Sequence, residues 1–440
     1  MNFKIKYIML LLALSVAGCA AYFSVWGLKM QLTQQIKIKT SPAQEIVLQA
    51  LSEKCRLIYN FALKERKEAF ERSKKGINYI KQQNDLPKIK EKFPEYGWVY
   101  SKVLQYTLRT LDADFKSFFA LNKKGDKNAR PPKFKGKNFF TTMVYNQSGF
   151  KTGKGWMELS HKHPIGTKLK FDIPKKFAFA KIYQISIYKI DKEYFLSITY
   201  DKSEPAFQDN QQYQAFDLGI MKQTAINLQG RFKEFTNQRH DKYWQKPTEE
   251  LQSRRDHCKK FSKRWHLLND THNKCKTKSA NQLKDFQHKL SRKIIDNTKA
   301  NTIIVGDLSP KQMCQKDRYR KGLHRSLQNT GHIGRMIGFL TYKAKLVGKR
   351  IVEISEKGTS KRCCICGKEQ DMPLEKRGYI CDCGNRIDRD RNSAINIMLR
   401  YLSQNGLWTA YWQFVSNLRQ TGLTIVSHSQ EALTSKCQTF

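Results

Sequence analysis

Four cysteines near the carboxyl end of the chain have the spacing of metal ligands. Cys363 and Cys366 form one close pair, Cys381 and Cys383 form a second, and a glycine follows each pair. Two such pairs supply the four tetrahedral ligands of a zinc ion, and glycine permits the tight turn that each pair needs. Four thiolates leave no open position for water, so we predict a structural zinc with Cys364 as the spare cysteine. Reduced cysteines in an apolar core are the alternative.

Carboxylates form the second set of residues that could do chemistry. Asp217 interrupts an apolar stretch, and a buried aspartate is costly unless it is paired or bound to a metal. Gly219, two residues later, would let a metal or a phosphate approach the backbone. Asp390 stands at the start of a predicted helix. Several carboxylates can hold two divalent ions about 4 Å apart for phosphodiester cleavage. A strand-end turn for Asp217 and a helix N-cap for Asp390 stay open as alternatives.

The carboxyl-terminal half alternates strands with helices, which would bring these residues together. Apolar strands are predicted around Asp217, at Asn301–Leu308 and at Lys349–Ser355. A long basic helical stretch, at about Asp241–Ala300, lies between the first two strands. Strands that carry carboxylates and are separated by helices indicate an α/β nuclease sheet. The tail after about Gly406 carries no recognisable motif.

The amino-terminal half is predicted to combine helices with antiparallel strands. A helix starts near Pro42, and Lys-rich helical sequence continues to about Lys124. Alternating sequence then predicts strands, including a hairpin that turns near Asp191. The prediction is an α+β multidomain chain. Its parts are an apolar extension at 1–30, a β-rich module at 31–212 with a helical insert at about 43–125, a nuclease domain at 213–405 with a zinc ribbon at 359–386, and a tail at 406–440.

The charge of the chain indicates a polyanionic partner. There are 81 Lys and Arg against 38 Asp and Glu, a formal net charge of +43 on 440 residues, and the basic residues recur along the whole chain. A folded surface that follows a phosphate backbone fits this pattern better than a membrane surface does. One predicted nucleic-acid-binding segment joins cations to a ring that could stack on bases: Arg130, Lys133, Phe134, Lys135 and Lys137. A second segment supplies cations around a predicted helix: Arg254, Arg255, Lys259 and Lys260. Solvated basic segments are the plainer interpretation of both.

The first thirty residues conflict with the cysteine pattern. Lys4 and Lys6 precede an apolar run at 7–27 that contains a lipoprotein-type sequence ending at Cys19. Five of the eleven cysteines lie between Cys363 and Cys383, which is typical of a metal site in a reducing compartment. We therefore predict a cytoplasmic, nucleoid-associated protein whose first thirty residues are dispensable for its chemistry. Export or membrane anchoring is the alternative.

Several motifs occur in a fixed order between about Gln31 and Tyr401. They are RPPKFKGK, DIPKK, FDLGI, LTYKAKLVGKR, EKGTSKRCCICG and CDCGNRIDRDRNSAINI. In this order they resemble the TnpB (OrfB) family of transposon-encoded proteins, which is related to the type V CRISPR effectors. The resemblance implies a β-barrel-like, wedge-like module with an inserted helical bundle, then a RuvC/RNase H-like nuclease domain with an inserted zinc ribbon. It also implies structural Zn, catalytic Mg or Mn, and Asp217 and Asp390 as the first and third acidic residues of the nuclease.

One position departs from the family pattern. Family members typically carry Glu-Asp-Leu at the end of the second motif strand, where this chain has Gly306-Asp307-Leu308. Because strand side chains alternate, Asp307 should point away from the face of position 306 unless a bulge re-aims it. Glu356, at the end of the neighbouring strand, could offer its carboxylate across the gap. Rescue by Glu356, rescue by Asp307 and loss of nuclease activity all stay open.

The resemblance implies an RNA-guided DNA endonuclease. A guide RNA from the transposon end would pair with double-stranded target DNA, and the protein would read a short adjacent motif. No small-molecule substrate is expected. The alternative is a nuclease-dead RNA-guided DNA-binding protein that acts as a transcriptional repressor, and Gly306 is its sequence support. A DNA-strand transferase is the third hypothesis, and the sequence shows neither of the domains that would support it.

Overall fold

The structure of the chain is a computed structural model. It describes residues 29–422 except 147, 175, 178, 308–332 and 374. Between Ser203 and Glu204 the chain divides into two compact units, whereas the sequence predicted a division at 212/213. The predicted signal-like run lies outside the described residues. Within the described ranges, no helix is long and apolar enough to cross a membrane.

The unit that begins at Lys29 combines two antiparallel sheets with helices. Its helical elements are α1 (Pro42–Ser73), α2 (Tyr79–Asn84), α3 (Leu86–Lys92), a 3-10 turn (Pro94–Trp98) and α4 (Ser101–Lys123). Its strands are β1 (Lys29–Ile38), β2 (Met143–Asn146), β3 (Phe150–Gly153), β4 (Trp156–Leu159), β5 (Leu169–Asp172), β6 (Ile182–Ile190) and β7 (Glu193–Ser203). The strands pair in the orders β1-β7-β6-β2 and β3-β4-β5. These are two open sheets, so the barrel-like arrangement is not confirmed.

Local sequence explains where the first helix and the hairpin of this unit occur. The Ser41 hydroxyl accepts from the Gln44 amide at 3.2 Å, and the Gln44 side chain accepts from the Ser41 amide at 3.0 Å. This capping box, with Pro42 at the first helical position, starts α1 where it was predicted. The β6–β7 hairpin turns at Asp191, which has a positive φ of 53°, also as predicted.

The unit that begins at Glu204 is built on one five-stranded sheet. Its strands are β8 (Tyr213–Leu218), β9 (Lys222–Asn227), β10 (Phe232–Thr236), β11 (Thr302–Gly306) and β12 (Arg350–Ile354), with a small separate pair β13 (Gly378–Ile380) and β14 (Arg386–Asp388). Its helices are α5 (His240–Asp256), α6 (Lys263–Asn297), α7 (Ile333–Lys345), α8 (Arg389–Gln404) and α9 (Trp408–Gln420). The large sheet has the order β10-β9-β8-β11-β12, and β8, β11 and β12 are parallel. This is the α/β arrangement that the sequence predicted for the second half.

Helices cover both faces of the five-stranded sheet. Ala215 and Ile304 belong to the core that contains residues of α8 and α9. Their strand neighbours Phe216 and Ile303 belong to the opposite core, which contains residues of α6 and α7. Side chains of successive strand residues alternate between the two faces. Each strand position in β8 and β11 is therefore assigned to one face.

Helix α9 lies in the segment that the sequence treated as a tail without a motif. Phe414, Val415 and Leu418 are buried in the core beside α8. Nδ2 of the Asn417 side chain donates to the Leu228 carbonyl at 2.9 Å, which ties the helix to the residue after β9. The apolar residues recur at helical spacing, so periodicity was the signal that could have predicted this helix. Residues 423–440 lie outside the described residues.

Gly219 closes the hairpin between β8 and β9. Its amide donates to the Lys222 carbonyl at 3.1 Å, and a Cβ at position 219 would lie 2.7 Å from the same oxygen. Glycine is therefore required at position 219, because the Lys222 carbonyl lies too close for a Cβ. The tight turn accounts for this glycine without a metal or a phosphate at its backbone.

The substitution Gly219→Ala is predicted to destabilise the protein by about 1–3 kcal/mol, because backbone must shift to admit the methyl group. Gly338→Ala is the matched control, since Gly338 lies in α7 and a Cβ there meets no atom within 4 Å. That control should stabilise by about 0.5–1 kcal/mol through helix propensity. Thermal unfolding of both variants checks the assignment, and equal midpoints would contradict it.

Candidate metal centres and nucleic-acid surfaces

The four predicted zinc ligands lie together. The sulfurs of Cys363, Cys366, Cys381 and Cys383 are all within 4.8 Å of one another. Sγ of Cys363 is 3.7 Å from that of Cys383, and Sγ of Cys366 is 3.6 Å from that of Cys381. Tetrahedral zinc with bonds of about 2.3 Å to sulfur needs sulfurs about 3.8 Å apart. These four cysteines could therefore hold one zinc ion, and no other described residues gather three or more His, Cys, Asp or Glu ligand atoms as closely.

Two glycine turns form the loops that present the cysteines. The Gly367 amide donates to the Cys363 carbonyl at 3.0 Å, and the Gly384 amide donates to the Cys381 carbonyl at 3.0 Å. Gly367 and Gly384 have φ values of 75° and 89°, a region that L side chains rarely adopt. Cys364 is buried in the core beside α8, and burial raises the pKa of its thiol to about 12. It lies outside the four-sulfur group, as the sequence predicted.

Three carboxylates converge on the face of the sheet that α8 covers. Asp217 shares this face because it follows Ala215 at a spacing of two residues in β8. Burial, and then the negative charges of Glu356 and Asp390, raise the pKa of Asp217 well above its ordinary value. The charges of Glu356 and Asp390 thus act on Asp217, although the three carboxylates are not gathered as tightly as the four cysteine sulfurs.

The carboxylate of Glu356 fills the space that a side chain at position 306 would occupy. A Cβ built on Gly306 would lie 2.9 Å from Cδ and 3.0 Å from Cβ of Glu356. Strand β12 runs beside β11, with Gly306 opposite Ile354, as was expected from the sequence. Oε2 of Glu356 is buried, and none of the described residues hydrogen-bonds to it. Burial, and then the charge of Asp307, raise the pKa of Glu356 to about 7.

Asp307 follows Gly306 directly, and its charge acts on the Glu356 carboxylate. Its side chain is exposed, and its amide donates to the Ile354 carbonyl at 2.7 Å in the parallel ladder. The pairing of β11 with β12 is regular from Thr302 to Gly306, without a bulge that would re-aim the next residue. Alternation therefore directs Asp307 away from the face that Gly306 and Asp217 share.

Helix α8 holds the loop that carries Glu356. Nη1 of Arg400 donates to the Ser355 carbonyl at 2.6 Å and to the Lys357 carbonyl at 3.1 Å. These are the residues immediately before and after Glu356. The guanidinium charge also lowers the pKa of Glu356, against the larger effect of burial. Arg400 therefore fixes the backbone on both sides of this glutamate.

A second set of hydrogen bonds extends the same contact into the zinc ribbon. The Thr359 hydroxyl donates to the Glu356 carbonyl at 2.8 Å. Nδ2 of Asn396 donates to the carbonyls of Thr359 and Arg362 at 2.8 and 2.7 Å, and Nδ2 of Asn392 donates to the Arg362 carbonyl at 2.8 Å. One turn of α8 thus binds both the Glu356 loop and the segment that leads directly into the first cysteine pair.

Asp390 lies in the first turn of α8 and is not its N-cap. The Asp388 carboxylate accepts from the amides of Asp390 and Arg391 at 2.9 and 3.2 Å, so the capping role belongs to Asp388, which sequence reasoning missed. The Asp390 carboxylate lies 3.9 Å from Nζ of Lys222 and 3.9 Å from Nη1 of Arg377. Burial, and then the charge of Asp388, raise the pKa of Asp390. The sequence analysis had named Asp390 alone as the possible N-cap.

The predicted nucleic-acid segment at 130–137 is anchored to α1 through Lys135. The Lys135 amide and carbonyl bond to the Asn60 side chain at 2.8 and 2.9 Å, and Arg56 donates to the same carbonyl at 2.9 Å. The Lys135 ammonium lies 3.9 Å from the centroid of the Tyr59 ring, and burial lowers its pKa. Lys135 is therefore packed against the protein. The other predicted residues of the segment are exposed: Arg130, Lys133, Phe134 and Lys137.

The second predicted basic segment lies at the tip of a helical hairpin. Arg254 and Arg255 end α5, and Lys259 and Lys260 lie in the turn before α6. The cations therefore do not surround one helix, as the sequence analysis had placed them, because the chain turns between residues 257 and 262. Arg255 bonds to Asp256 at 2.7 Å and to Asn269 at 3.3 Å, so its guanidinium is used within the hairpin.

Comparison with known proteins matches two segments to family models. The OrfB/IS605-type helix-turn-helix domain matches residues 30–75, and the Cas12f1-like TNB domain matches residues 334–397. The second segment contains all four cysteines, Glu356 and Asp390. The resemblance to the TnpB (OrfB) family that the motifs indicated is therefore confirmed.

Individual relatives extend the similarity over most of the chain. A Streptomyces pristinaespiralis protein named "Putative RNA-guided DNA endonuclease" is 24% identical over 78% of this chain and 82% of its own length. InsQ of Escherichia coli (strain K12), which carries the same name, is 24% identical over 84% of this chain and 92% of its own. A Cas12f1 chain from a cryo-EM complex with sgRNA and target DNA has a TM-score of 0.52 at 12% identity, over 84% of this chain and 98% of that one. The chain therefore has a mixed α+β multidomain fold similar to that of Cas12f1.

Purified protein is predicted to contain about one zinc per chain, because four sulfurs lie at tetrahedral spacing. The double variant Cys363→Ser, Cys381→Ser should lose the metal, measured by elemental analysis. Cys364→Ser is the matched control and should keep it, since that thiol lies in the apolar core. A folded, zinc-free native protein would contradict the assignment.

Proposed function

We propose that this protein is an RNA-guided DNA endonuclease of the TnpB type, which cleaves target DNA by metal-dependent phosphodiester hydrolysis at a RuvC-like site. The single observation that carries the proposal is the convergence of three carboxylates on one face of the sheet: Asp217 and the Glu356 carboxylate share the face that α8 covers, and Asp390 lies in the first turn of α8. The names of the relatives and the Cas12f1-like fold support the same class of activity.

The donor set fits divalent magnesium or manganese. Crowded carboxylates with raised pKa values favour a bound cation, because the cation offsets both burial and their mutual repulsion. The buried Oε2 of Glu356 is an oxygen that could coordinate such a metal ion. Two such ions, when bound, supply an activated water and stabilise the leaving oxygen. Asp217, Glu356 and Asp390 would hold them.

Glu356 is proposed to supply the carboxylate that relatives carry at the position of Gly306. Its carboxylate fills the space in front of this glycine, and α8 holds its loop on both sides. Asp307 is the weaker candidate, because it is exposed and alternation directs it away from Asp217. The nuclease-dead repressor had Gly306 as its support, and a carboxylate occupying that space removes the reason to favour it.

The nucleic-acid partners follow from the same proposal. A guide RNA from the transposon end would pair with double-stranded target DNA beside a short motif, so that sequence specificity resides in the RNA. The exposed cations and ring of the segment at 130–137 would contact phosphates and bases: Arg130, Lys133, Phe134 and Lys137. At the helical hairpin, Arg254, Lys259 and Lys260 offer exposed charges. Cytoplasmic, nucleoid-associated location stays a prediction.

The substitutions Asp217→Asn, Glu356→Gln and Asp390→Asn are each predicted to lower cleavage of guide-matched plasmid by more than about 100-fold, because each removes a metal ligand. Guide and target binding should stay within about twofold, since Lys and Arg contacts to phosphate dominate affinity. Asp307→Asn is the matched control and should cut nearly normally. Cleavage in magnesium or manganese, with binding measured in parallel, checks the series.

Two outcomes would change the proposal. If Glu356→Gln cuts normally while Asp307→Asn is inactive, the ligand is Asp307. If the unmutated protein binds guide and matched target but cuts neither strand with either metal, it is a nuclease-dead binder.

A further inference from the structure

The turn between α5 and α6 presents an aromatic side chain at the tip of a helical hairpin. The Ser262 amide donates to the Lys259 carbonyl at 3.0 Å and closes the turn. The Ser262 hydroxyl then accepts from the Trp265 amide at 3.2 Å and caps α6. Phe261 occupies the third position of this turn, and its side chain is 66% exposed.

The backbone at Phe261 is in a conformation that bulky residues avoid. Its φ is +66°, in the left-handed region where turns of this kind favour glycine or asparagine. A phenylalanine there is a steric outlier, and its ring gains little burial in return. The stability of the hairpin therefore does not explain why position 261 is a phenylalanine. Residues with such backbone conformations are concentrated at ligand-binding sites.

A layer of packed side chains supports the ring from below. Trp265 meets Phe261 edge-on with ring centroids 5.3 Å apart. The Arg255 guanidinium lies 6.0 Å from the Trp265 ring and is held by Asn269 and Asp256. The packed side chains beneath it hold the exposed ring in place. A planar partner can therefore stack on the ring without the entropy cost of ordering a mobile side chain.

Exposed cations surround this ring within ten residues of sequence. They are Arg254, Lys259, Lys260, Lys263 and Arg264. Asp256, the acidic residue of the tip, is paired with Arg255. Among the described residues these five cations form no ion pair, and the Lys260 ammonium lies 5.3 Å from the centroid of the Phe261 ring. An aromatic ring beside such cations matches the chemistry of an unpaired nucleotide, whose base stacks while its flanking phosphates bind the charges.

We infer that the α5–α6 tip binds an unpaired nucleotide of a nucleic-acid strand, with the base stacked on Phe261 and the phosphates held by the surrounding lysines and arginines. The inference rests on the proposed function to the extent that the protein must bind nucleic acid. It adds a stacking site that the predicted basic segment lacked. The strand could belong to the guide RNA or to DNA, which share this chemistry.

The test measures binding of the full-length chain to labelled single strands of about 20 nucleotides, oligo-U and oligo-dT, by fluorescence anisotropy. Phe261→Gly should weaken binding by about 5- to 150-fold, the range for stacking of one base. Its salt dependence should not change, whereas Lys260→Gln should lower the slope by about 0.7. The strand with the larger loss identifies RNA or DNA as the source.

Four controls separate stacking from structure. Phe261→Trp should keep the affinity because it keeps a ring, and Tyr243→Ala should have no effect because this exposed aromatic lies in the first turn of α5, away from the tip. Phe261→Gly should not lower the thermal midpoint, since glycine tolerates the positive φ. A duplex of the same length should bind Phe261→Gly and the native chain alike.

The outcomes distinguish this inference from the proposed function. If the native chain binds the strands and Phe261→Gly binds them equally tightly, the stacking site is wrong and the proposed function stands. If the native chain binds no nucleic acid at all, both are wrong.

Discussion

The hydrogen bonds from α8 to the loop after β12 are the constraint on which the candidate nuclease site depends. A carboxylate at the end of a strand is positioned by the sheet itself, but Glu356 lies two residues beyond β12, where strand pairing no longer fixes the backbone. Arg400 supplies the missing restraint by binding the carbonyls on both sides of it. Asp390 lies in the first turn of the same helix, so one rigid element positions two of the three carboxylates.

The zinc ribbon is part of this arrangement because it starts where the Glu356 loop ends. Asn392 and Asn396 bind the Arg362 carbonyl, one residue before Cys363. A structural zinc, when bound by the four cysteines, would therefore hold the far end of a segment whose near end carries a proposed catalytic ligand. The site also carries an electrostatic cost, because burial and mutual repulsion raise the pKa values of its carboxylates. A bound cation would offset that cost, which links metal affinity to the packing that α8 provides.

Spacing and periodicity predicted the cysteine ligands, the strand neighbours and the face assignment of Asp307, since these follow from local geometry. Contacts between side chains distant in sequence could not be predicted in the same way. Lys135 was expected to be available to phosphate, but it packs on Tyr59 because α1 anchors its backbone. The turn contact of Gly219 could not be predicted either, since the sequence does not show which oxygen a missing Cβ would meet. Arg400 carried no motif, so its contact with the Glu356 loop appears only in the folded chain.

If the Glu356 carboxylate occupies the point in space that a glutamate at position 306 would reach, a carboxylate moved from position 356 back to position 306 should restore cutting. Cleavage of guide-matched plasmid would be compared for Glu356→Ala and for the double variant Gly306→Glu, Glu356→Ala. In the double variant, removal of the Glu356 carboxylate leaves only the Cβ of residue 356 against position 306, at 3.0 Å from the Cβ there, a contact that a shift of a few tenths of an ångström relieves. The account predicts that the single variant is inactive and that the double variant recovers cutting to within about tenfold of the native protein. Normal cutting by the single variant, or no recovery in a double variant that folds and binds its target, would contradict it.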